Sequence, residues 1–309
     1  VVLITTKKGK KTRGLGVNVS TEHTWEKPHS YINFQNEFGS GTSQYDVDYA
    51  TINGQQVRQI IKSRYNFGPK FDGTPIMFID GVTRPYQAYP NNFINLFKTG
   101  SSDNTTVAIS GGNDMGNMRL AYTNYNYNGI LDRFNQNKNV VSLTGSMNVS
   151  DFASFEINSN LYSVKTQNRY PNIQDMVAWG INRDYPFDAI KGLYKSSTGE
   201  KFSSEGLGWP GQFAPSYLMN ILWHQYEDTN IDDKFHYIGS ARTTLHFTDW
   251  LYFVGQAGID YTNTDYTTKN PIERFTPQNS GGKYAYSRNN VTVLNYRGFL
   301  NYEKKFMDN

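Results

Sequence analysis

The chain has 309 residues, no cysteine and a formal net charge of +3, with a mean hydropathy of −0.64. This excludes a disulfide framework and a thiolate metal site, gives no electrostatic footprint for nucleic acid and, with no run near eighteen apolar residues, excludes a transmembrane helix. A transmembrane β-barrel survives that test, because alternation along its strands hides the apolar band from a hydropathy window. The 23 Tyr and 19 Phe suit barrel girdles, where a ring needs one oily side and one wet tip. A large soluble β protein, a sandwich or a propeller, has a similar composition.

In chain order, Val1 to Thr6 reads as an apolar strand buried on both faces. It opens the chain without Met, as in a piece of something longer. Lys7 to Arg13 carries five cations in seven residues; with no aromatic interleaved, it reads as a solvated linker rather than a nucleic-acid patch. Leu15 to Trp25 alternates as a strand. Pro28 to Asp103 is long and irregular, with weak helical character over Tyr45 to Arg64, where Val57, Ile60 and Ile61 fall at helical spacing. Four strands follow: Thr105 to Ser110, Met118 to Tyr127, Val140 to Val149 and Ala153 to Val164. Gln167 to about Asp233 is again a long connection. Phe235 to Phe247 and Leu251 to Tyr261 are strands joined by the minimal turn Thr248-Asp249. Thr262 to Asn290 reads as a polar loop, and Val291 to Tyr302 as the last strand.

Period-two alternation over about ten residues marks strands apolar on one face, and ten tilted residues also cross a bilayer. Phe155, Ile157, Leu161, Leu245, Phe253, Ile259, Leu294 and Leu300 are expected on the lipid side. Glu156, Arg242, Gln256, Asp260 and Arg297 are expected to face a lumen. Of the seven connections between these eight strands, the second, fourth and sixth are short. In an up-and-down sheet alternate connections share an end, so short turns gather at one rim and long loops at the other. Outer-membrane barrels show that asymmetry, with short periplasmic turns and long extracellular loops; a sandwich has no reason to sort its loops. The expected fold class is therefore all-β: a partial antiparallel up-and-down transmembrane β-barrel of about eight strands.

Gly68 to Gly73 (G-P-K-F-D-G), Arg84-Pro85-Tyr86, Pro90-Asn91-Asn92, Leu96 to Gly100 (L-F-K-T-G), Ser110 to Asn113 and Arg119 to Tyr122 occur in an order that resembles the SusC/RagA-like TonB-dependent transporters of the Bacteroidota outer membrane. The opening Val2 to Gly9 resembles that family's last plug strand and its junction with the barrel. The motifs are dense in the first third of the chain; beyond it the resemblance rests on strand pattern and turns such as Thr248-Asp249-Trp250. It implies a last plug strand and basic linker over 1–13 and the N-terminal part of the barrel over 14–309. It further implies a whole barrel of about 22 strands with a plugged lumen, import of a glycan or peptide energised through TonB, and a SusD-like lid lipoprotein. The TonB-contacting end, most of the plug and about fourteen strands have no counterpart here.

Catalytic chemistry is not legible. The five histidines (His23, His29, His224, His236 and His246) form no HExxH and show no pairing with carboxylates at ligand spacing. Asp46-Val47-Asp48 and Asp232-Asp233 make no EF-hand loop and read as solvated surface. No P-loop or Gly-x-Ser-x-Gly elbow occurs, so no enzyme, cofactor or metal is expected. Trp179, Trp209, Trp223 and Tyr226, in the Gln167 to Asp233 connection, are candidates for stacking on a sugar ring or peptide side chain or for contact with the lid, against plain packing within the loop. The alternative function is a soluble or surface-exposed β-rich glycan-binding module.

Overall fold

Strands with a polar residue at every second position cannot bury both faces, so they satisfy their backbone by pairing edge to edge into one sheet. In the computed structural model, which describes residues 14–29, 32–61, 63–168, 181–196, 199, 201, 214–272 and 281–304, that sheet has eight strands. They are β1 (Gly16–Glu26), β6 (Gly100–Gly112), β7 (Gly116–Asn128), β8 (Asn135–Asn148), β9 (Ala153–Gln167), β10 (Thr229–Thr248), β11 (Leu251–Asn270) and β12 (Lys283–Tyr302), each antiparallel to the next. Between β1 and β6 a smaller sheet holds β2 (Asp48–Ile52), β3 (Gln55–Gln59), β4 (Pro75–Met77) and β5 (Thr83–Pro85). The expected all-β antiparallel, partial-barrel fold class is the one observed. The apolar opening at Val1 to Thr6 and the basic run to Arg13 lie outside the described residues.

Register carries one row of side chains across the whole sheet. Val19, Val107, Tyr122, Val141, Leu161, Tyr237 and Tyr261 sit side by side on β1 and β6 to β11. The row two residues nearer the short turns holds Val17, Ile109, Leu120, Leu143, Ser159, Gly239, Ile259 and Leu294. Phe155, Leu245, Phe253 and Leu300 continue the same face downward, while Glu156, Arg242, Gln256, Asp260 and Arg297 all fall on the other. Many apolar side chains on the first face are exposed: Leu300 to 68%, Val17 to 66% and Leu294 to 54%. In the opposite direction the same face turns polar within one row on every strand but β10, at Thr21, Thr105, Asn124, Asn139, Ser163, Asn263 and Asn290, with Phe235 holding the β10 position.

Connections sort by length as expected. Residues 113–115, 149–152 and 249–250 close one rim; 27–99, 129–134, 168–228 and 271–282 lie at the other. Three sequence expectations change. Thr262 to Asn290 is mostly strand, because β11 and β12 run on for 20 residues each. Their outer halves carry Thr, Asn and Tyr on both faces, so no alternation marks them, yet the backbone ladder continues. At about 3.4 Å per residue such strands are roughly 65 Å long and overshoot any bilayer. The weak helix over Tyr45 to Arg64 is instead the β2–β3 hairpin. Asn53 (φ 51°) and Gly54 (φ 80°) both sit where a type I′ turn requires positive φ. Finally, 168–228 contains the helix Ala214–Glu227, whose signal was present in Leu218, Ile221 and Leu222 at helical spacing.

The two longest connections share one hydrophobic core at the long-loop rim. Ile60, Ile76, Phe78 and Tyr86 from the first pack with Tyr185, Phe187, Leu218 and Leu222 from the second, all nearly solvent-free. Residues 39–41 and 65–69 run against each other inside this block through Gly39 N–H to Pro69 O and Gly68 N–H to Gly39 O. A Cβ on Gly68 would lie 2.0 Å from the Ser40 carbonyl oxygen. Gly68→Ala is therefore expected to destabilise the rim block by about 1–3 kcal/mol, and Gly192→Ala, whose Cβ meets nothing within 4 Å, to be nearly neutral. Amide hydrogen exchange of the two variants in the intact protein checks the contrast; equal protection would remove the argument.

Candidate functional site

Two surfaces bring polar side chains together: the polar face of the sheet and the block of folded loops at the long-loop rim. On the polar face, Arg242 stands directly between Glu156 and Gln256 in register. With Asn117, Ser146 and Asn158 they line an open recess of about 180 Å³ near the short-turn end. Farther along, His236 Nε2 lies 2.8 Å from Asp260. The recess is wet, of mixed charge and floored by rigid strands, a surface suited to holding a polar segment by several weak hydrogen bonds.

Rim geometry depends on one tripeptide, Asn182-Arg183-Asp184, in which all three side chains are buried. Asp184 accepts the Ser40 N–H at 2.9 Å and the Ser40 hydroxyl at 2.7 Å. Asn182 Nδ2 donates to Ser40 Oγ at 2.6 Å and to the Ser63 carbonyl at 2.7 Å. The Arg183 guanidinium donates to Asn92 Oδ1 (2.5 Å), Asn36 Oδ1 (2.8 Å), Pro90 O (3.0 Å) and Gln35 O (3.1 Å), and stacks over Phe34 at 5.0 Å. Every one of these partners belongs to residues 27–99. The tripeptide thus clasps the two long connections into one body, by fixed donors rather than by apolar packing alone. No motif marks it in the sequence. The three residues lack periodicity, and their partners are backbone and side-chain groups scattered over almost sixty positions.

A second cluster ties in the 129–134 connection. Asp132 receives Lys191 Nζ at 2.8 Å and the Tyr226 hydroxyl at 2.5 Å, with Lys98 at 3.5 Å. Burial works to raise the Asp132 pKa, but the hydrogen bonds from Lys191 and Tyr226 outweigh it and hold the carboxyl below its usual range. Burial, reinforced by the bond to Asp132, pushes the Tyr226 hydroxyl up to about 12 and keeps it protonated.

Of the sequence candidates, Trp179 and Trp209 lie outside the described residues. Trp223 and Tyr226 share the helix Ala214–Glu227, and both rings meet Tyr194, at 6.5 and 5.1 Å. Trp223 is 2% exposed, and Tyr226 is half-buried with its hydroxyl on Asp132. Three of the five histidines do meet carboxylates after all: His23 with Asp103, His224 with Asp228 at 2.9 Å and His236 with Asp260. Sequence spacing hid two of these pairs because they form across strands. Among the described residues no group of three His, Asp or Glu comes together.

With this geometry in hand, comparison with known proteins adds fold information. No protein-family profile matches the chain, and no curated protein does. Two solved structures of the RagAB peptide importer, one in the "closed-closed" and one in the "open-open" state, are similar to it at a TM-score of 0.60, with 13% and 12% sequence identity. The alignments cover 98% of this chain and 34% of the importer chain. At such identity the likeness is one of fold, and the chain spans about a third of its neighbours' length. The fold so defined is a section of an antiparallel, barrel-like β wall with folded loops at one rim.

The clasp makes a pH prediction. Burial pushes Asp184 up to about 6 from the usual 3.8, against the pull of the Ser40 N–H and hydroxyl. The folded state therefore holds a proton that the unfolded chain has released between about pH 4 and pH 6. The Asp184 contribution to the stability of the rim block is expected to be greatest below that window, to fall as pH rises through it, and to level off above it. Asp184→Asn should remove the slope, and Arg183→Ala should cost on the order of 3 kcal/mol by stranding buried acceptors. Hydrogen exchange of the block from pH 4 to 7 measures both; a wild-type profile that rises with pH would refute the assignment.

Proposed function

We propose that this chain is part of the wall of an outer-membrane nutrient importer, with its apolar face to lipid and its polar face to a lumen. The observation that carries the reading is the in-register apolar band. It is about ten residues tall on β10, β11 and β12, is solvent-exposed on β1, β7 and β12 and partly exposed on β10 and β11, and gives way to polar residues over one to two rows. Water-soluble proteins rarely expose a contiguous apolar patch beyond a few hundred Å², whereas a barrel needs a band of this height. Among the described residues no helix is long and apolar enough to cross a membrane, so strands carry the span. The similarity in fold to a peptide importer chain supports the same reading.

In this reading the cargo is a peptide or an oligosaccharide that enters at the loop rim and passes along the polar face. A SusD-like lipoprotein caps the rim, and TonB supplies energy through a segment outside this chain. Trp179 and Trp209 are the proposed contacts to ligand or lid, with Trp223 and Tyr226 supporting the rim from beneath. Nucleic acid and cofactors have no part in it.

The test uses the full transporter with single spin labels. Labels at Phe155, Ile259 and Leu294 are expected to be quenched by lipid-soluble reagents, and labels at Glu156, Gln256 and Arg297 by water-soluble ones. Ile259→Arg should cost about 2–4 kcal/mol of folding stability in lipid, while Gln256→Arg should cost little. Uptake should fail on deletions within 168–228 and survive changes in the 249–250 turn. Equal accessibility of both label sets, with a monodisperse protein in plain buffer, would favour a soluble glycan-binding module.

A further inference from the structure

On the strength of that reading, we propose that the apolar face of β7 and β8, just above its band, is a docking site for the sugar headgroup of a glycolipid in the membrane's outer leaflet. Four asparagines carry the argument. Asn139 Nδ2 donates to Asn137 Oδ1 at 2.8 Å, and Asn137 Nδ2 donates to Asn126 Oδ1. Asn126 Nδ2 donates to Asn124 Oδ1 at 2.6 Å, and Asn124 Nδ2 returns to Asn139 Oδ1 at 2.9 Å. The chain of donors closes on itself. A closed ring in which each amide both gives and receives polarises every bond in one sense and fixes the plane of every carboxamide.

The ring leaves bonding capacity pointing outward. Each NH₂ group keeps a second hydrogen, and each carbonyl except that of Asn139, which also accepts the Tyr122 hydroxyl at 2.6 Å, keeps a second lone pair. Asn126 and Asn137 are exposed. Isolated surface asparagines would be free to turn; these are held, so a ligand meets paired donors and acceptors already oriented, with little side-chain entropy left to lose.

Position and hydrogen-bonding pattern select the occupant. Asn124 and Asn139 stand one row above Tyr122 and Val141, and Asn126 and Asn137 one row higher. Two residues of strand are about 6.7 Å, which a 45° tilt reduces to about 5 Å of height. The ring therefore spans roughly 5–10 Å beyond the edge of the apolar band, where a lipid whose tails cover that band holds its headgroup. Along the same row, His23 meets Asp103 and Arg288 grips Asp265 at 2.6 and 2.8 Å. Lys165 stands opposite Asp233. Vicinal hydroxyls, each donor and acceptor at once, match the carboxamide pairs.

The experiment places the full transporter in nanodiscs of phosphatidylethanolamine with or without rough lipopolysaccharide and counts retained glycolipid by native mass spectrometry. Wild type is expected to retain glycolipid, and the Asn126→Ala/Asn137→Ala double variant to retain about tenfold less, corresponding to about two net hydrogen bonds. Asn126→Gln, which keeps an amide but is too long to close the ring, should lose retention severalfold. Asn158→Ala on the opposite face should lose none, and uptake should be unchanged in the Asn126 and Asn137 variants. Equal retention by wild type and the double variant, or loss of phospholipid and glycolipid alike, overturns the site. Spin labels at Ile259 and Leu294 separate the two readings. If they are lipid-quenched while glycolipid is not retained, only this proposal fails; if they are water-quenched, the importer reading fails with it.

Discussion

Everything in this protein hangs on the unbroken backbone ladder from β1 to β12. Each strand satisfies its N–H and C=O groups only through its neighbours, and antiparallel pairing with period two then forces a choice of face for every side chain. Because the register runs without slip from β1 through β9, and meets one irregularity near His246 to Thr248, apolar residues from eight separate segments fall on one surface. A slip of a single residue anywhere would scatter that surface, placing Glu156 or Arg242 among leucines. The ladder is therefore both the scaffold and the device that makes one face apolar and the other polar.

Against that wall, the rim uses a different physics. Among the described residues, 27–99 and 168–228 have no long strands to pair, so their order rests on a buried apolar core and a few charged or carboxamide hubs. Arg183 supplies directional bonds to several backbone acceptors that would otherwise be stranded. Asp132, at lower burial, anchors the 129–134 connection by accepting from the Lys191 ammonium and the Tyr226 hydroxyl. Such hubs specify one arrangement of long loops where apolar packing alone would tolerate several. A rim that must present a constant shape to a partner or cargo benefits from that specificity, even at the cost of burying Asp184.

Between wall and rim lies a polar collar where the strands have left the apolar band but remain paired. Here side chains bond along the sheet to one another: Thr21 to Thr105, Asn124 to Asn139, Arg288 to Asp265. The collar explains how 20-residue strands persist beyond any hydrophobic driving force. Backbone pairing continues, and cross-strand side-chain bonds replace burial as the reason to stay flat.

Much of the wall was legible from sequence because period two is a local property. Ala153 to Val164 and Leu251 to Tyr261 each show it within a dozen residues, and loop lengths sort the rims without any knowledge of contacts. The helix Ala214–Glu227 was legible in principle, since Leu218, Ile221 and Leu222 share one helical face. The extensions of β11 and β12 were not, because strands polar on both faces carry no alternation and only a partner's backbone declares them strands. The β2–β3 hairpin hid behind an accidental helical spacing at Val57, Ile60 and Ile61, although Asn53-Gly54 marked its turn. Trp223 could not be placed by sequence, since a tryptophan in a long connection serves packing or contact equally well. The clasp at Asn182-Arg183-Asp184 and the closed ring of Asn124, Asn126, Asn137 and Asn139 belong wholly to tertiary structure. Their partners lie scores of residues away or across strand pairs, and a hydrogen bond's direction and distance have no counterpart in the order of residues along the chain.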